Sequence, residues 1–249
     1  MVSAWACHNR LVLGQQATEA KSNEITAIPK LLALLELKGC IVTLDAMGCQ
    51  SAIAQQILEQ KGDYVLGLKG NQGTLHEAVE DFFTCAERQQ FAGVLHDHLE
   101  EIDKDHGRFE IRRYWITEEL QSLPETGHWK GLRSIVLVES EVVCLKDNTT
   151  SRHTRYYISS LAQSAAEFQR DIRLHWSIEN QCHWVLDTVF REDHNQTCKR
   201  HAAKNLSALR RIVLNLLKLD DSLGKISLPK KRLHALMDQR YREKVLSLA

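Results

Sequence analysis

The sequence predicts an α/β fold: a parallel βαβ unit, then a mainly antiparallel β-rich segment, then a helical, basic C-terminal region. Three observations carry this expectation. The run CIVTLDAMG is apolar and β-branched over residues 41–44, turns polar at Asp45 and breaks near Gly48. Such a run suits a strand buried on both faces. Residues 51–60 come next, with Ile53, Ala54, Ile57 and Leu58 at helical spacing, and a second short strand is predicted over 64–69. Strand, helix and strand within about 30 residues require a parallel pair with a right-handed crossover. Finally, FEIRRYWIT, SIVLVESEVV and TRYYISS are β-rich stretches separated by polar loops, the pattern of antiparallel strands.

The flanking elements read in order. Residues 2–18 suggest a hairpin, with VSAWA and RLVLG on either side of residues 7–9. A helix is expected around 25–37, with Pro29 confining it to positions after the first turn. Thr74 and Glu77 have the spacing of a capping box before a helix running to Phe83. The segment AEFQRDIRLHWSIENQCHWVLDTVF reads as one long helix, and AAKNLSALRRIVLNLLKL as another. The chain divides provisionally into a first part of an α/β core (1–96), a β-rich insertion (97–160), a helix completing the core (161–198) and a basic helical region (199–249). With only three prolines and no low-complexity tract, these are not separate independent domains.

Composition is that of a soluble globular protein: 249 residues, 43% hydrophobic and 26% charged. No stretch approaches the ~18 apolar residues of a membrane span, and the N-terminus lacks a signal-peptide layout. Seven cysteines without a C-x-x-C pair point to reduced thiols and a cytoplasmic location, not to a zinc ribbon or disulfide scaffold. The zero net charge hides a polarisation. From Lys199 onward 13 Lys and Arg stand against 4 Asp and Glu, whereas the preceding residues hold 19 against 28. A basic C-terminal region of this kind can meet phosphate. On its first helix Leu206, Leu209, Val213 and Leu216 make a packing face, and Lys204, Arg211 and Lys218 recur every seven residues as a basic stripe. That stripe is either a merely solvated face or a nucleic-acid contact.

Two acidic residues are candidates for chemistry. At about 100° per residue, Phe168, Ile172, His175, Glu179, His183 and Leu186 fall on one narrow helix face. A carboxylate on that apolar stripe must be paired, protonated or bound to a cation. A structural ion pair with Arg173 or a protonated histidine competes with a metal-ligand role. Asp45 would lie at the carboxyl end of a parallel strand, where open α/β sheets place their ligands, although Asp also begins turns. Carboxylates on a strand end and a helix flank are the parts of a ribonuclease-H-like site. Oxygen ligands without cysteine favour Mg²⁺ or Mn²⁺, and such ions support phosphodiester displacement. A zinc hydrolase built on His175, Glu179 and His183 is a further alternative from their spacing of four, which differs from H-E-x-x-H. Trp176 and Trp184 are expected to pack the helix, with base stacking as the alternative. Asp187, Glu192 and Asp193 read as supports behind a ligand or as solvated acids, and His194 and His201 as surface residues.

The segments EAKSNEITAIPKLL, IVTLDAMGCQ, GDYVLGLKGNQG, TRYYISS and HWSIENQCHWVLDTVFRED resemble those of the DDE transposases of insertion sequences, in the H-repeat-associated branch. The resemblance implies a ribonuclease-H-like core with a β-rich insertion, metal-dependent DNA cleavage and strand transfer, and insertion-sequence ends and target DNA as partners. It matches the family's second catalytic Asp to Asp45 and its catalytic Glu to Glu179, both as ligands of Mg²⁺ or Mn²⁺. It matches the Lys-Gly-Asn-Gln block to Lys69, Gly70, Asn71 and Gln72, a loop expected to meet phosphate unless it is simply a turn before a capped helix. Two departures accompany it. The wider class carries Tyr, Arg and Lys around its Glu, where this chain has Ile172, His175 and Leu186, so His175 is expected to replace the Arg at phosphate. The family's first catalytic Asp lies upstream of the hairpin in an Asp-Gly-Lys context, and no Asp precedes Asp45 here. The sequence therefore reads as a truncated copy, inactive alone, that self-associates or joins full-length copies. A non-catalytic DNA-binding remnant using the basic region is the competing expectation.

Overall fold

The computed structural model describes residues 1–18, 24–105, 108–146, 149–197 and 199–248. The chain forms two compact units, Ser22–Arg173 and Met1–Lys21 with Leu174–Ala249.

The unit Ser22–Arg173 is built on one six-stranded mixed sheet. Its strands are β3 (Ile41–Leu44), β4 (Asp63–Leu68), β5 (His96–Asp105), β6 (Arg108–Thr117), β7 (Ser134–Cys144) and β8 (Thr149–Ser159), in the order β3-β4-β8-β7-β6-β5. The predicted βαβ unit is present: helix α2 (Ser51–Glu59) joins β3 to β4, which pair in parallel from Ile41↔Asp63 to Leu44↔Leu66. The β-rich residues beyond them pair antiparallel throughout, and β8 adds directly to β4 (Val65↔Ser159). They therefore extend the same sheet. The expectation that 41–44 is buried on both faces is corrected. β3 is the sheet edge, with Ile41 39% exposed, and the buried strand is β4.

The β4–β8 seam is closed by serines. Ser159 Oγ donates to the Tyr64 carbonyl at 3.0 Å, and Tyr64 N–H donates to Ser160 Oγ at 2.9 Å. These bonds satisfy backbone groups where the ladder ends inside the core. One face of the sheet presents Val65, Tyr114, Ile116, Val136, Val138 and Tyr157 to Ala165, Phe168 and Ile172 of helix α4 (Ala165–Ile178). Phe168 meets Tyr157 edge to face at 5.4 Å between ring centroids.

Helix α1 (Glu24–Leu32) is shorter than expected and carries Pro29 inside it. Helix α3 (Gly73–Arg88) buries Leu75, Val79, Phe83 and Ala86. Its N-cap is Gln72, so the expected capping box at Thr74 and Glu77 is not formed, Thr74 being already helical. A capping box does occur at α4: Ser164 N–H donates to Glu167 Oε2 at 2.9 Å and Glu167 N–H to Ser164 Oγ at 3.3 Å.

The second unit holds the hairpin of β1 (Val2–Ala6) and β2 (Leu11–Gln16), as expected, with the last residues of α4. A π-helical turn, Glu179–His183, leads into α5 (Trp184–Thr188). Helices α6 (Ala202–Leu219), α7 (Leu228–Met237) and α8 (Gln239–Leu246) complete the unit. Val12, Cys182, Val185, Leu186, Val189 and Leu214 form its core, continued by Leu216, Leu217, Tyr241 and Val245. Asn215 ties α6 to the hairpin by accepting from Val12 N–H at 2.9 Å and donating to the Val12 carbonyl at 2.7 Å. No disulfide links the described cysteines, and no described helix is long and apolar enough to cross a membrane.

Phe168 is fully buried at the centre of its cluster. Phe168→Ala should lower the stability of its unit by about 3–5 kcal/mol, measured by denaturant titration with amide exchange of residues 134–138 as the local readout. A loss under about 1 kcal/mol would show that α4 does not depend on this contact.

Candidate active-site elements

Asp45 ends β3 and caps the short 3-10 turn Ala46–Gly48. Its Oδ1 accepts from Met47 N–H at 3.1 Å and Gly48 N–H at 3.3 Å. The local fold arises from simple chemistry: a side-chain acceptor satisfies two amides that a turn would otherwise leave open. The carboxylate is exposed, and Oδ2 has no hydrogen bond among the described residues.

The Lys-Gly-Asn-Gln block forms the next turn, after β4. Asn71 Nδ2 donates to the Ala46 carbonyl at 2.7 Å, and Gln72 Nε2 to the Cys49 carbonyl at 2.9 Å. Gly67 completes this support, since a Cβ there would stand 3.3 Å from Ala46 N and 3.5 Å from the Asp45 carbonyl carbon. The block thus holds the Asp45 turn from below. Asn71 and Gln72 each spend an amide donor on a backbone carbonyl of this turn. Lys69 is exposed.

Glu179 belongs to the other unit, and it brings the largest correction to the sequence-based expectations. The residue is exposed, and its carboxylate has no hydrogen bond or ion pair among the described residues. It opens the π turn, its carbonyl accepting from Trp184 N–H five residues on. A π turn inserts one residue into the 3.6-residue period. The insertion shifts the residues after Glu179 relative to Phe168 and Ile172, and leaves the angle of Glu179 to those two residues unchanged. Phe168 and Ile172 are buried before the turn, and Cys182, Val185, Leu186 and Val189 in and after it. The buried carboxylate of this helix is instead Asp171, 7% exposed, bonded by Gln163 Nε2 at 2.6 Å, with burial pushing its pKa up. His175 and His183 are half-buried. Among the described residues no group of three or more His, Cys, Asp or Glu could hold a metal ion, so the zinc site of His175, Glu179 and His183 is not formed. Trp176 and Trp184 are 45% and 60% exposed, contrary to their expected packing role.

The basic stripe on α6 is likewise reversed. Arg211 is 6% exposed, and its Nη1 bonds Glu192 at 2.8 Å and Ser207 Oγ at 2.5 Å while Nε bonds Ser3 Oγ at 3.1 Å. Lys218 donates to the carbonyls of Arg10 and Gln181, and its Nζ lies 4.1 Å from the Trp5 ring centroid. The expected packing residues Leu209 and Val213 are 55% and 37% exposed. Of the three stripe cations only Lys204 is exposed. Exposed cations are instead found at Lys225, Lys230, Arg240 and Lys244, on and around α7 and α8.

These geometries bear on the comparisons with known proteins. A family model described as "Transposase DDE domain" matches residues 1–216. The chain belongs to the DDE transposase family. It is 40% identical over 250 residues to the protein YbfL of Escherichia coli (strain K12), covering 99% of this chain and 65% of YbfL. It is equally similar to the "H repeat-associated putative transposase YhhI" of the same strain, 40% identical with 99% and 65% covered. With the "Putative transposase YncI" of Escherichia coli O157:H7 it shares 41% over 249 residues, 99% of this chain and 63% of that one. The chain thus spans a little less than two thirds of the length of these relatives. The mixed α/β architecture with its six-stranded sheet is consistent with a DDE transposase domain.

Two outcomes are expected for this family member. Arg211→Ala should cost about 3 kcal/mol of stability, because it leaves Glu192 without its cation, while the salt slope of any DNA binding stays unchanged. A lost slope without destabilisation would return Arg211 to the DNA surface. Desolvation by burial lowers the Lys218 pKa from 10.5 to about 8. Between those values the unfolded chain binds more protons than the folded one, so this group makes stability rise with pH from about 8 to 10.5. The rise should vanish in Lys218→Met, as read from urea midpoints across that range.

Proposed function

We propose that this chain is the catalytic portion of a transposase that cleaves and joins DNA at insertion-sequence ends, with a ribonuclease-H-like core. The observation that carries the reading is Asp45, exposed at the carboxyl end of a parallel strand and held by a dedicated turn. Asp45 and Glu179 match the family's catalytic carboxylates and would hold Mg²⁺ or Mn²⁺. Their exposed oxygens suit a hard cation, and neither would need to break an ion pair to bind one. The bound ions would activate the attacking water or 3′ hydroxyl and steady the leaving oxygen.

The chain's own groups do the rest. Oδ1 of Asp45 is fixed by two backbone amides, which aims Oδ2 outward. Asn71 and Gln72 keep the turn from sliding. Lys69 and Lys204 offer exposed cations to phosphate, His175 stands where the wider class has its Arg, and the exposed cations of α7 and α8 supply further non-specific DNA affinity. Two carboxylates are fewer than the three that such sites use. The 249-residue polypeptide by itself should therefore hold the ions weakly and show little strand transfer, acting as a DNA-binding protein.

The test is Mn²⁺ titration, monitored by electron paramagnetic resonance, of the polypeptide and of Asp45→Asn and Glu179→Gln. Each substitution should weaken binding by about tenfold or more, since each removes a charged ligand. An unchanged affinity in both would sink the assignment. In parallel, the polypeptide should retard transposon-end duplex in a salt-dependent way without nicking it in Mg²⁺. Efficient nicking would overturn the claim of inactivity, and absence of any DNA affinity the claim of a DNA partner.

A further inference from the structure

A π turn is unusual enough to need a cause. It gives up regular i to i+4 bonding for one extra residue, and it tends to occur at functional sites or where a side chain enters the helical ladder. The turn Glu179–His183 has such a side chain. Lys218, one residue from the end of α6, donates from Nζ to the Gln181 carbonyl at 2.8 Å. The same ammonium donates to the Arg10 carbonyl at 3.0 Å, and it lies 4.1 Å from the centroid of the Trp5 ring. Trp5 is itself bound to the end of α4, its Nε1 donating to Ser177 Oγ at 3.4 Å. A single cation thus joins the hairpin, α6 and the middle of the π turn.

The surroundings make the arrangement specific to a cation donor. Cys182, next to the bonded carbonyl, is wholly buried in the cluster of Val12, Val185, Leu186 and Leu214, so the carbonyl side of the turn cannot swing to solvent freely. A methionine of similar length could pack on Trp5 but would offer nothing to either carbonyl. Were the turn to relax to α geometry, its register would slip by one residue. Glu179 would then rotate by about 100° relative to the buried Cys182, Val185 and Leu186.

We propose that Lys218 is a positioning residue for Glu179: by taking the Gln181 carbonyl it holds the π turn on which that carboxylate is mounted. The direction it gives Glu179 matters for catalysis only on the reading of Glu179 as a metal ligand. The hold on the turn stands without that reading.

The experiment uses the whole 249-residue chain with Lys218→Met, which keeps length and loses the donors, and Lys218→Arg, which keeps donors. Hydrogen exchange over residues 179–189 should quicken by about tenfold or more in Lys218→Met and stay near the parent rate in Lys218→Arg. Exchange over residues 134–144 in the other unit should not change, which separates a local effect from unfolding. Deleting Asn180, which lets the turn become α-helical, should make exchange in this window insensitive to Lys218→Met, a coupling that a general packing role would not produce. Mn²⁺ affinity should fall in Lys218→Met about as far as in Glu179→Gln, with Lys218→Arg close to the parent. Unchanged exchange at 179–189 in Lys218→Met would overturn the hold on the turn. Weakened Mn²⁺ binding in Glu179→Gln with none in Lys218→Met would overturn the positioning role. An unchanged Glu179→Gln affinity would strike the ligand reading alone, leaving the exchange result to decide on Lys218.

Discussion

Strand β4 bears the parallel pairing with β3 on one side and the antiparallel pairing with β8 on the other, and the chemistry of its unit depends on that double pairing. β3 is a four-residue strand at the sheet edge, with no second neighbour among the described residues. Its position, and hence that of Asp45, is defined by β4, by the turn at the end of β4 and by α1, whose Ile28 lies against Gly48. Gly67 lets the β4 backbone approach residues 44–46. Asn71 and Gln72, a few residues on, then bond the far side of the Asp45 turn. The serine bonds at the β4–β8 seam keep the same strand from shifting register, which in a sheet would turn every side chain to the wrong face.

The strands were legible because their signals are local and redundant. The apolar β-branched run at 41–44 and the helical spacing at 51–60 each pointed to one element, and the short link between them left only a parallel pair. The hairpin and the antiparallel stretches were legible for the same reason. The edge position of β3 was not, because burial of a strand depends on where its neighbours end. The capping box failed at Thr74 because the helix starts one residue earlier, at Gly73, and takes Thr74 inside it. At Ser164 and Glu167 the same spacing did form the box.

The helix of Glu179 shows a different kind of limit. A face drawn at a constant 100° per residue presumes unbroken α geometry and equal cover along its length; Glu179, on the Phe168 and Ile172 side of α4, is exposed, and the π turn at 179–183 resets the face only for the residues after it. The value of Glu179 as a candidate survives for another reason: matching to the family, not burial, is what singles it out. The α6 stripe failed through neglect of tertiary partners. Arg211 and Lys218 repeat with Lys204 at a seven-residue spacing, yet Glu192, Ser3 and the carbonyls of Arg10 and Gln181 supply enough acceptors to draw two of the three inside. Leu209 and Val213 remain exposed as a consequence. Residue spacing set the period of the helix and left its rotation to be decided by polar partners far along the chain.

Mounting and availability are separated in both carboxylates. Asp45 commits one oxygen to the turn that holds it and keeps the other open. Glu179 commits neither oxygen, and its backbone is held instead, through the bond of Lys218 to the Gln181 carbonyl. Anchoring through the carboxylates themselves would have stabilised each residue while weakening its cation affinity, because an existing ion pair must be broken before a metal can bind. Bonds from neutral backbone amides to one oxygen of Asp45, and from Lys218 to backbone beside Glu179, avoid that opposition. They leave Oδ2 of Asp45 and both oxygens of Glu179 without a counter-charge among the described residues, the condition under which a divalent cation gains most from binding.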